Sequence, residues 1–372
     1  MSIRRDPFAP RTEDDALPDV ARKGRGSVSN RPSHRFGNAD RYEIDDGWSD
    51  HERADWARAR RKTILGVDSA RTIITRNTSP DIGFDRSINP YKGCEHGCIY
   101  CFARPTHAYL DLSPGLDFET RIFRKPDAPQ LLRRELSAPG YRPGPMMLGI
   151  NTDAYQPTEK TELLTRRLLE VLYEFRHPVH IVTKSALILR DIDILAPMAQ
   201  LGLFSASLSV TTLDRDLARV MEPRAATPMR RIAAIRALSE AGIPVSVLAA
   251  PMIPGLTDHE LEAILTAAAE AGAKRAGMTV IRLPHEIKDL FEQWLREHAP
   301  GSADKVLNRI RQMRGGQLYN AAFGERMKGT GQHADLLQSR FRLAVKKLGL
   351  DKPMRGGDYS QFRGGDRQLS LF

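Results

Sequence analysis

The stretch that decides the fold runs Gly93-Cys94-Glu95-His96-Gly97-Cys98-Ile99-Tyr100-Cys101-Phe102-Ala103-Arg104-Pro105-Thr106-His107, and it holds all 3 cysteines of the 372-residue chain. Cys94, Cys98 and Cys101 are spaced C-x3-C-x2-C. An odd number of thiols packed into one short stretch excludes a disulfide framework, which needs scattered pairs. Clustered thiols point to a metal. A structural zinc ordinarily takes four ligands, so a Cys3His knuckle would draw on His96 or His107. Three thiolates alone suit a [4Fe-4S] cluster that leaves one iron open to a small molecule.

Outward from this stretch, from about residue 85, short apolar segments alternate with amphipathic ones. "MMLGIN" precedes "TELLTRRLLEVLYEFR", "VHIVTK" precedes "LILRDIDILAPMAQLG", and "FSASLSVTT" precedes "MRRIAAIRALSEAG". "PVSVLAAPMI", "HELEAILTAAAEAG" and "RAGMTVIRL" continue the series. This alternation predicts an α/β protein built of βαβ units around a parallel sheet. About six strands are too few for a closed eight-stranded barrel, so an open, partial (β/α)6 barrel is expected. Gly202 and Gly242 should stop helices, and Thr257 or Asp258 should cap one. After residue 300 "ADKVLNRIRQMRGG" and "ADLLQSRFRLAVKKLGL" read as helices placed to close the open side. The expected organisation is a disordered tail over 1–62, the barrel over 63–300, a basic helical extension over 301–350 and a flexible tail over 351–372.

The formal net charge of +10 divides unevenly: residues 1–62 carry +2, residues 63–301 carry 0 and residues 302–372 carry +8. A basic C-terminal fifth makes phosphate backbone, and so DNA, the natural partner, although a solvated basic surface would look the same. No run approaches the ~18 apolar residues that would cross a bilayer, and no secretory leader is evident. The chain reads as cytoplasmic, without membrane contact.

The cysteine spacing, with Tyr100 immediately before the third cysteine, resembles the pattern of the radical SAM superfamily. Within it the chain is most similar to the spore photoproduct lyase-like branch, often labelled DNA repair photolyase. The similarity covers roughly residues 85–290 through "INPYKGCEHGCIYCFAR", "NTDAYQPTEK", "IVTKS", "SLSVTT" and "PMIPGLTD". It implies a partial (β/α)6 barrel in which Cys94, Cys98 and Cys101 hold a [4Fe-4S] cluster after the first strand. It further implies that S-adenosylmethionine chelates the fourth iron and is split by one electron into methionine and a 5′-deoxyadenosyl radical. Thr152 and Asp153 would accept from the methionyl ammonium, Lys184 would pair with its carboxylate, and Ser209 and Tyr100 would flank the cofactor. Alternatively, Thr152 and Asp153 merely open a helix, Lys184 is a solvated strand end and Ser209 a core hydroxyl. Glu159, with Gln156, and Glu222 and Arg224 sit where they could face cofactor or substrate. In one respect the chain departs from that branch. Ile150 stands where spore photoproduct lyase carries a further cysteine that returns hydrogen to the product radical, so Tyr155 is the candidate to replace it.

The C-terminal "QLSLF" resembles the motif by which bacterial replication and repair proteins dock onto the β sliding clamp of DNA polymerase III. Leu369, Leu371 and Phe372 would enter apolar pockets while Gln368 orients them; the alternative is an apolar end tucked onto its own barrel. The expectation is a radical SAM enzyme for DNA repair or modification, supplied with electrons by a protein such as flavodoxin or ferredoxin. Radical modification of RNA or protein, a non-enzymatic DNA-associated iron–sulfur or zinc protein, and a redox sensor are the alternatives.

Overall fold

The computed structural model describes residues 19–36, 62–352 and 357–364. Its strands, in chain order, are β1 (Ile64–Val67), β2 (Ile74–Arg76), β3 (Arg86–Ile88), β4 (Tyr91–Lys92), β5 (Arg121–Arg124), β6 (Met146–Leu148), β7 (Val179–Thr183), β8 (Phe204–Ser209), β9 (Val245–Met252) and β10 (Arg275–Val280). Seven of them form one sheet in the order β10-β9-β8-β7-β6-β3-β2. From β3 to β10 every pair is parallel, and only β2 runs antiparallel at the edge. Helices Ala128–Leu136, Leu164–Glu174, Ile192–Gln200, Pro228–Glu240, Leu261–Glu270 and Ile287–His298 follow the six parallel strands in turn. This is the expected open (β/α)6 arrangement. β1, β5 and β4 make a separate three-stranded sheet beside the cysteine stretch.

Periodicity explains these elements. Along β7 buried and half-buried residues alternate, as a strand with one face on the helices requires. In Leu164–Glu174 the buried Leu168, Leu169 and Leu172 share one face and pack with Ile181 and Leu148 of the sheet. Each such side chain contributes about 1.5–3 kcal/mol by leaving water. Gly202 and Gly242 end their helices as expected. Thr257 and Asp258 do not cap the next one. Their side chains instead accept from Ile253 N at 3.0 Å and Gly255 N at 2.8 Å, so their oxygens brace the turn after β9.

The C-terminal helices are Pro300–Gln312 and Gln332–Leu348. Val306, Leu307, Ile310 and Leu337 join the same apolar core as the barrel, so 63–300 and 301–350 are one packed body. Arg340 ties the last helix to Glu262 at 2.5 Å. The gap between the sheet edges is bridged by polar contacts from the loops. Arg326 binds Asp81, just before β3, and Ser33 and Arg35 bind Glu286, just after β10.

Both tails depart from expectation where they are described. Residues 19–36 lie against the cysteine stretch, with Val28, Ser27 and Ser29 buried. Residues 357–364 are seated across the N-terminal ends of β7 and β8 through Asp358 N to Gly202 O (3.2 Å), Gln361 Nε2 to Leu201 O (2.8 Å) and Arg363 N to Phe175 O (2.8 Å). Phe362 packs edge-on against His177, ring centroids 5.5 Å apart. Their polar composition hid the fact that backbone hydrogen bonds and a single ring suffice to dock a short segment. Gln368, Leu369, Leu371 and Phe372 lie outside the described residues. Among the described residues no helix is long and apolar enough to cross a membrane.

His177 makes stability depend on pH. Its Nδ1 donates to Pro178 O at 2.8 Å and its Nε2 accepts from the Tyr141 hydroxyl at 3.0 Å, so the ring is held neutral. Burial, aided by Arg86, lowers its pKa from 6.5 to about 4 despite the Pro178 carbonyl. The unfolded chain therefore takes up this proton as pH falls through 6.5, while the folded chain waits until about 4. Unfolding free energy should drop across that window by up to about 1.4 kcal/mol per pH unit. Urea unfolding at a series of pH values should show that slope, and His177→Gln should lack this share of it.

Candidate functional site

The cysteine stretch leaves β4 and folds around one buried side chain, Arg104, which has no exposed surface. Its Nε donates to Cys98 O (2.8 Å), Nη1 to Pro114 O (3.1 Å) and Gly115 O (2.9 Å), and Nη2 to Gly97 O (2.9 Å). Nη2 also pairs with Glu119 Oε1 at 2.6 Å, both groups being fully buried. Glu119 in turn accepts from the backbone N–H of Gly26 (3.0 Å) and Ser27 (2.8 Å). Arg25 Nη1 donates to the Glu119 carbonyl at 2.9 Å. The N-terminal segment is thus a strap stapled to the loop. The approach is close: a Cβ on Gly26 would stand 1.9 Å from Gly97 O.

From the opposite side Gln156 holds the loop, accepting from Glu95 N at 2.9 Å and donating to Gly93 O at 3.2 Å. Arg224 pairs with Glu95 at 2.7 Å and its N–H reaches His96 O at 3.3 Å. Gln156 and Arg224 therefore grip the loop's backbone and its Glu95, where the sequence suggested contact with a ligand.

Cys94 and Cys98 are buried and Cys101 is partly so. Burial pushes all three thiols up; Cys98 and Cys101 add to the rise at Cys94, and Cys101 adds to that at Cys98. Opposing this, the N–H of Asp153 faces Cys94, those of Ala103 and Arg104 face Cys101, and Lys184 lies near both Cys98 and Cys101. Inward-pointing amides and a cation are what thiolates ligating iron need. The donor set fits a [4Fe-4S] cluster. Of the two neighbouring histidines, His107 has Nε2 bound to Arg121 O at 2.9 Å and His96 has Nδ1 facing Asp153 at 3.3 Å. Among the described residues no group of three or more His, Cys, Asp or Glu converges on a single ion.

The remaining candidates fall into two groups. Asp153 lies beside Cys94, Lys184 and Glu222 lie beside Cys98, and Tyr100 stands between Cys98 and Cys101 in the chain. The Tyr100 hydroxyl is bound by Glu222 and by Thr211 (3.1 Å), and Glu222 is paired with the buried Arg231, which also donates to Ser209 O at 3.1 Å. The Lys184 ammonium stands 5.6 Å from the Tyr100 ring centroid and has no ion pair among the described residues. Thr152 donates to Tyr91 O at 2.9 Å. Burial opposes ionisation of Asp153, but His96 and the hydrogen bonds from Lys184 N and Thr183 override it and hold the carboxyl at about 2.

Tyr155 and Glu159 belong elsewhere. Tyr155 is fully buried, with its hydroxyl donated to Asp191 at 3.0 Å. Glu159 accepts from Tyr91, Arg190 (2.9 Å) and Thr165 N (3.1 Å), which uses both its oxygens. Their side chains turn into a packed ion network with Arg190. Sequence reasoning missed Arg104, Glu119 and Arg231. A fully buried guanidinium leaves no periodic trace, and only the arginine just beyond the third cysteine hinted at it.

A family model described as the radical SAM superfamily matches residues 88–268. An uncharacterised protein of Mycobacterium tuberculosis is 34% identical over 264 residues, covering 70% of this chain and 76% of its own. One of Methanocaldococcus jannaschii is 30% identical over 173 residues, covering 46% and 62%. Among solved structures, spore photoproduct lyase complexed with dinucleoside spore photoproduct superposes with a TM-score of 0.54 at 15% identity, over 77% of this chain and 79% of that one. At that identity the likeness is one of fold.

The strap predicts a specific defect. Gly26→Ala should leave the far-ultraviolet circular dichroism unchanged yet lower the iron and acid-labile sulfide retained after anaerobic reconstitution, because the loop must shift to clear the new methyl group. Full retention would mean that the strap does not shape the loop.

Proposed function

Since the chain belongs to the radical SAM superfamily, whose cofactors are a [4Fe-4S] cluster and S-adenosylmethionine, we propose that it cleaves S-adenosylmethionine reductively and acts on DNA, repairing or modifying a base. The observation that carries this reading is the buried loop presenting three thiols beside Lys184, a cation with no ion pair of its own among the described residues. When bound, the cluster and S-adenosylmethionine supply a one-electron cleavage of the sulfonium that yields methionine and a hydrogen-abstracting 5′-deoxyadenosyl radical.

This chain's residues bind and orient around that event. Cys94, Cys98 and Cys101 hold the cluster. Lys184 is the partner for the methionyl carboxylate. The Thr152 hydroxyl keeps a free lone pair for the methionyl ammonium. Tyr100 stays beside the cofactor because Glu222 and Thr211 fix its hydroxyl, and Ser209 acts through its carbonyl on Arg231. The electron comes from a carrier protein of the flavodoxin or ferredoxin kind. Ile150 offers no thiol, and the Tyr155 hydroxyl is donated to Asp191.

DNA is supported by the +8 carried by residues 302–372 and by the fold shared with spore photoproduct lyase, whose structure holds a dinucleoside photoproduct. Gln368, Leu369, Leu371 and Phe372 add a docking segment for the β sliding clamp, which raises the local concentration of enzyme on DNA.

Two measurements test the reading. Reconstituted protein with dithionite and S-adenosylmethionine should release 5′-deoxyadenosine, and Cys98→Ala should abolish it; no product from protein with a full, reducible cluster would sink the enzyme reading. Separately, immobilised β clamp should retain the full chain but not a Leu371→Ala/Phe372→Ala double variant, and equal retention of both would remove the clamp from the proposal.

A further inference from the structure

On the open side of the barrel, apolar side chains and guanidinium groups alternate in direct contact. Phe102, next to Cys101, is 44% exposed, and Arg282, just past β10, stands over its ring at 5.6 Å. Arg282 Nη1 then meets Met327 Sδ at 3.5 Å. Arg326 follows in the chain and stands over Phe323 at 4.5 Å, with 60% of Phe323 left to solvent.

This row is held rigidly. Arg326 is fixed by Asp81 and by Ser79 Oγ at 2.5 Å, and Gly324 N donates to Asp81 at 2.7 Å. Met327 O accepts from Val280 N at 3.0 Å, while Arg314 donates to Glu325 O (2.9 Å) and Ile281 O (2.8 Å). Single exposed apolar residues are ordinary on any surface. Here, however, two exposed rings are each covered by a guanidinium on one side, and the guanidinium groups are joined through Met327. The Nε of Arg282 is buried with no hydrogen-bond partner among the described residues. The segment that supplies Phe323, Arg326 and Met327 belongs to the +8 portion of the chain.

We propose that this row is a stacking surface for the unpaired bases of a DNA strand, leading outward from the third cysteine of the cluster loop. Rings interleaved with cations bind such strands because every base has a face to stack and every nucleotide carries a phosphate. Paired bases are stacked on one another and offer no face, so the surface selects DNA that is single-stranded or locally opened. The assignment rests on the reading that DNA is the substrate and gives it a form: the base nearest the radical is unpaired, and its neighbours lie over Phe102 and Phe323.

The test is fluorescence anisotropy on the cluster-loaded full chain at fixed salt, with a labelled thymidine oligonucleotide of about 12 nucleotides, its duplex and a uridine oligoribonucleotide. The single DNA strand should bind more tightly than the duplex and no more weakly than the RNA. Phe323→Ala should weaken it about tenfold while Phe323→Trp preserves it, as loss and retention of one stacking partner require. Unchanged affinity in Phe323→Ala, a duplex bound as tightly as the single strand, or preference for RNA would each overturn the proposal. Release of 5′-deoxyadenosine, measured without nucleic acid on the same samples, separates the two readings. Its absence in the wild type defeats the radical reading, whereas its presence beside a failed anisotropy result defeats only the stacking surface.

Discussion

A single guanidinium organises the centre. Arg104 spends its donors on four loop carbonyls and on Glu119, in a place where neither charge can reach water. An ion pair so buried persists only when its remaining hydrogen-bonding capacity is filled, and here the loop's own carbonyls fill one partner and the strap's amides the other. Removing either charge would leave the other stranded, at a cost of about 3–5 kcal/mol. The positions of Cys94, Cys98 and Cys101 therefore follow from Arg104 as much as from their spacing.

Around the sulfurs the charges are arranged in a second tier. Glu222 is neutralised by Arg231 and also receives the Tyr100 hydroxyl, so a carboxylate close to Cys98 is kept from adding its full repulsion. Lys184, by contrast, has no ion pair among the described residues, and Asp153 turns its oxygens to the Lys184 amide and to His96 rather than to the ammonium. Strand ends of a (β/α) barrel are where such groups can converge from several elements.

What could be read from the chain was local. The cysteine spacing and the alternation of short apolar and amphipathic segments lie within windows of a few to some fifteen residues, and they delivered the barrel. The partnership of Glu119 with Gly26 spans 93 residues and leaves no pattern in either place. Averaging over residues 1–62 concealed a strap of eighteen ordered residues within a polar region, 19–36. For Tyr155 and Glu159 the side-chain partners were not legible, because they depend on where Arg190 and Asp191 come to rest.

The strap also imposes an order on the protein's manufacture. Ser33 meets Glu286 across 253 residues of chain, so the segment that leaves the ribosome among the first cannot complete its docking until most of the barrel has been made. Gly26 and Ser27, by contrast, meet Glu119 across only 93 and 92 residues, so the strap closes on the cysteine loop well before its far end is fastened. The two ends of one short strap are thus fixed at different stages of synthesis, the loop side first and the barrel side last.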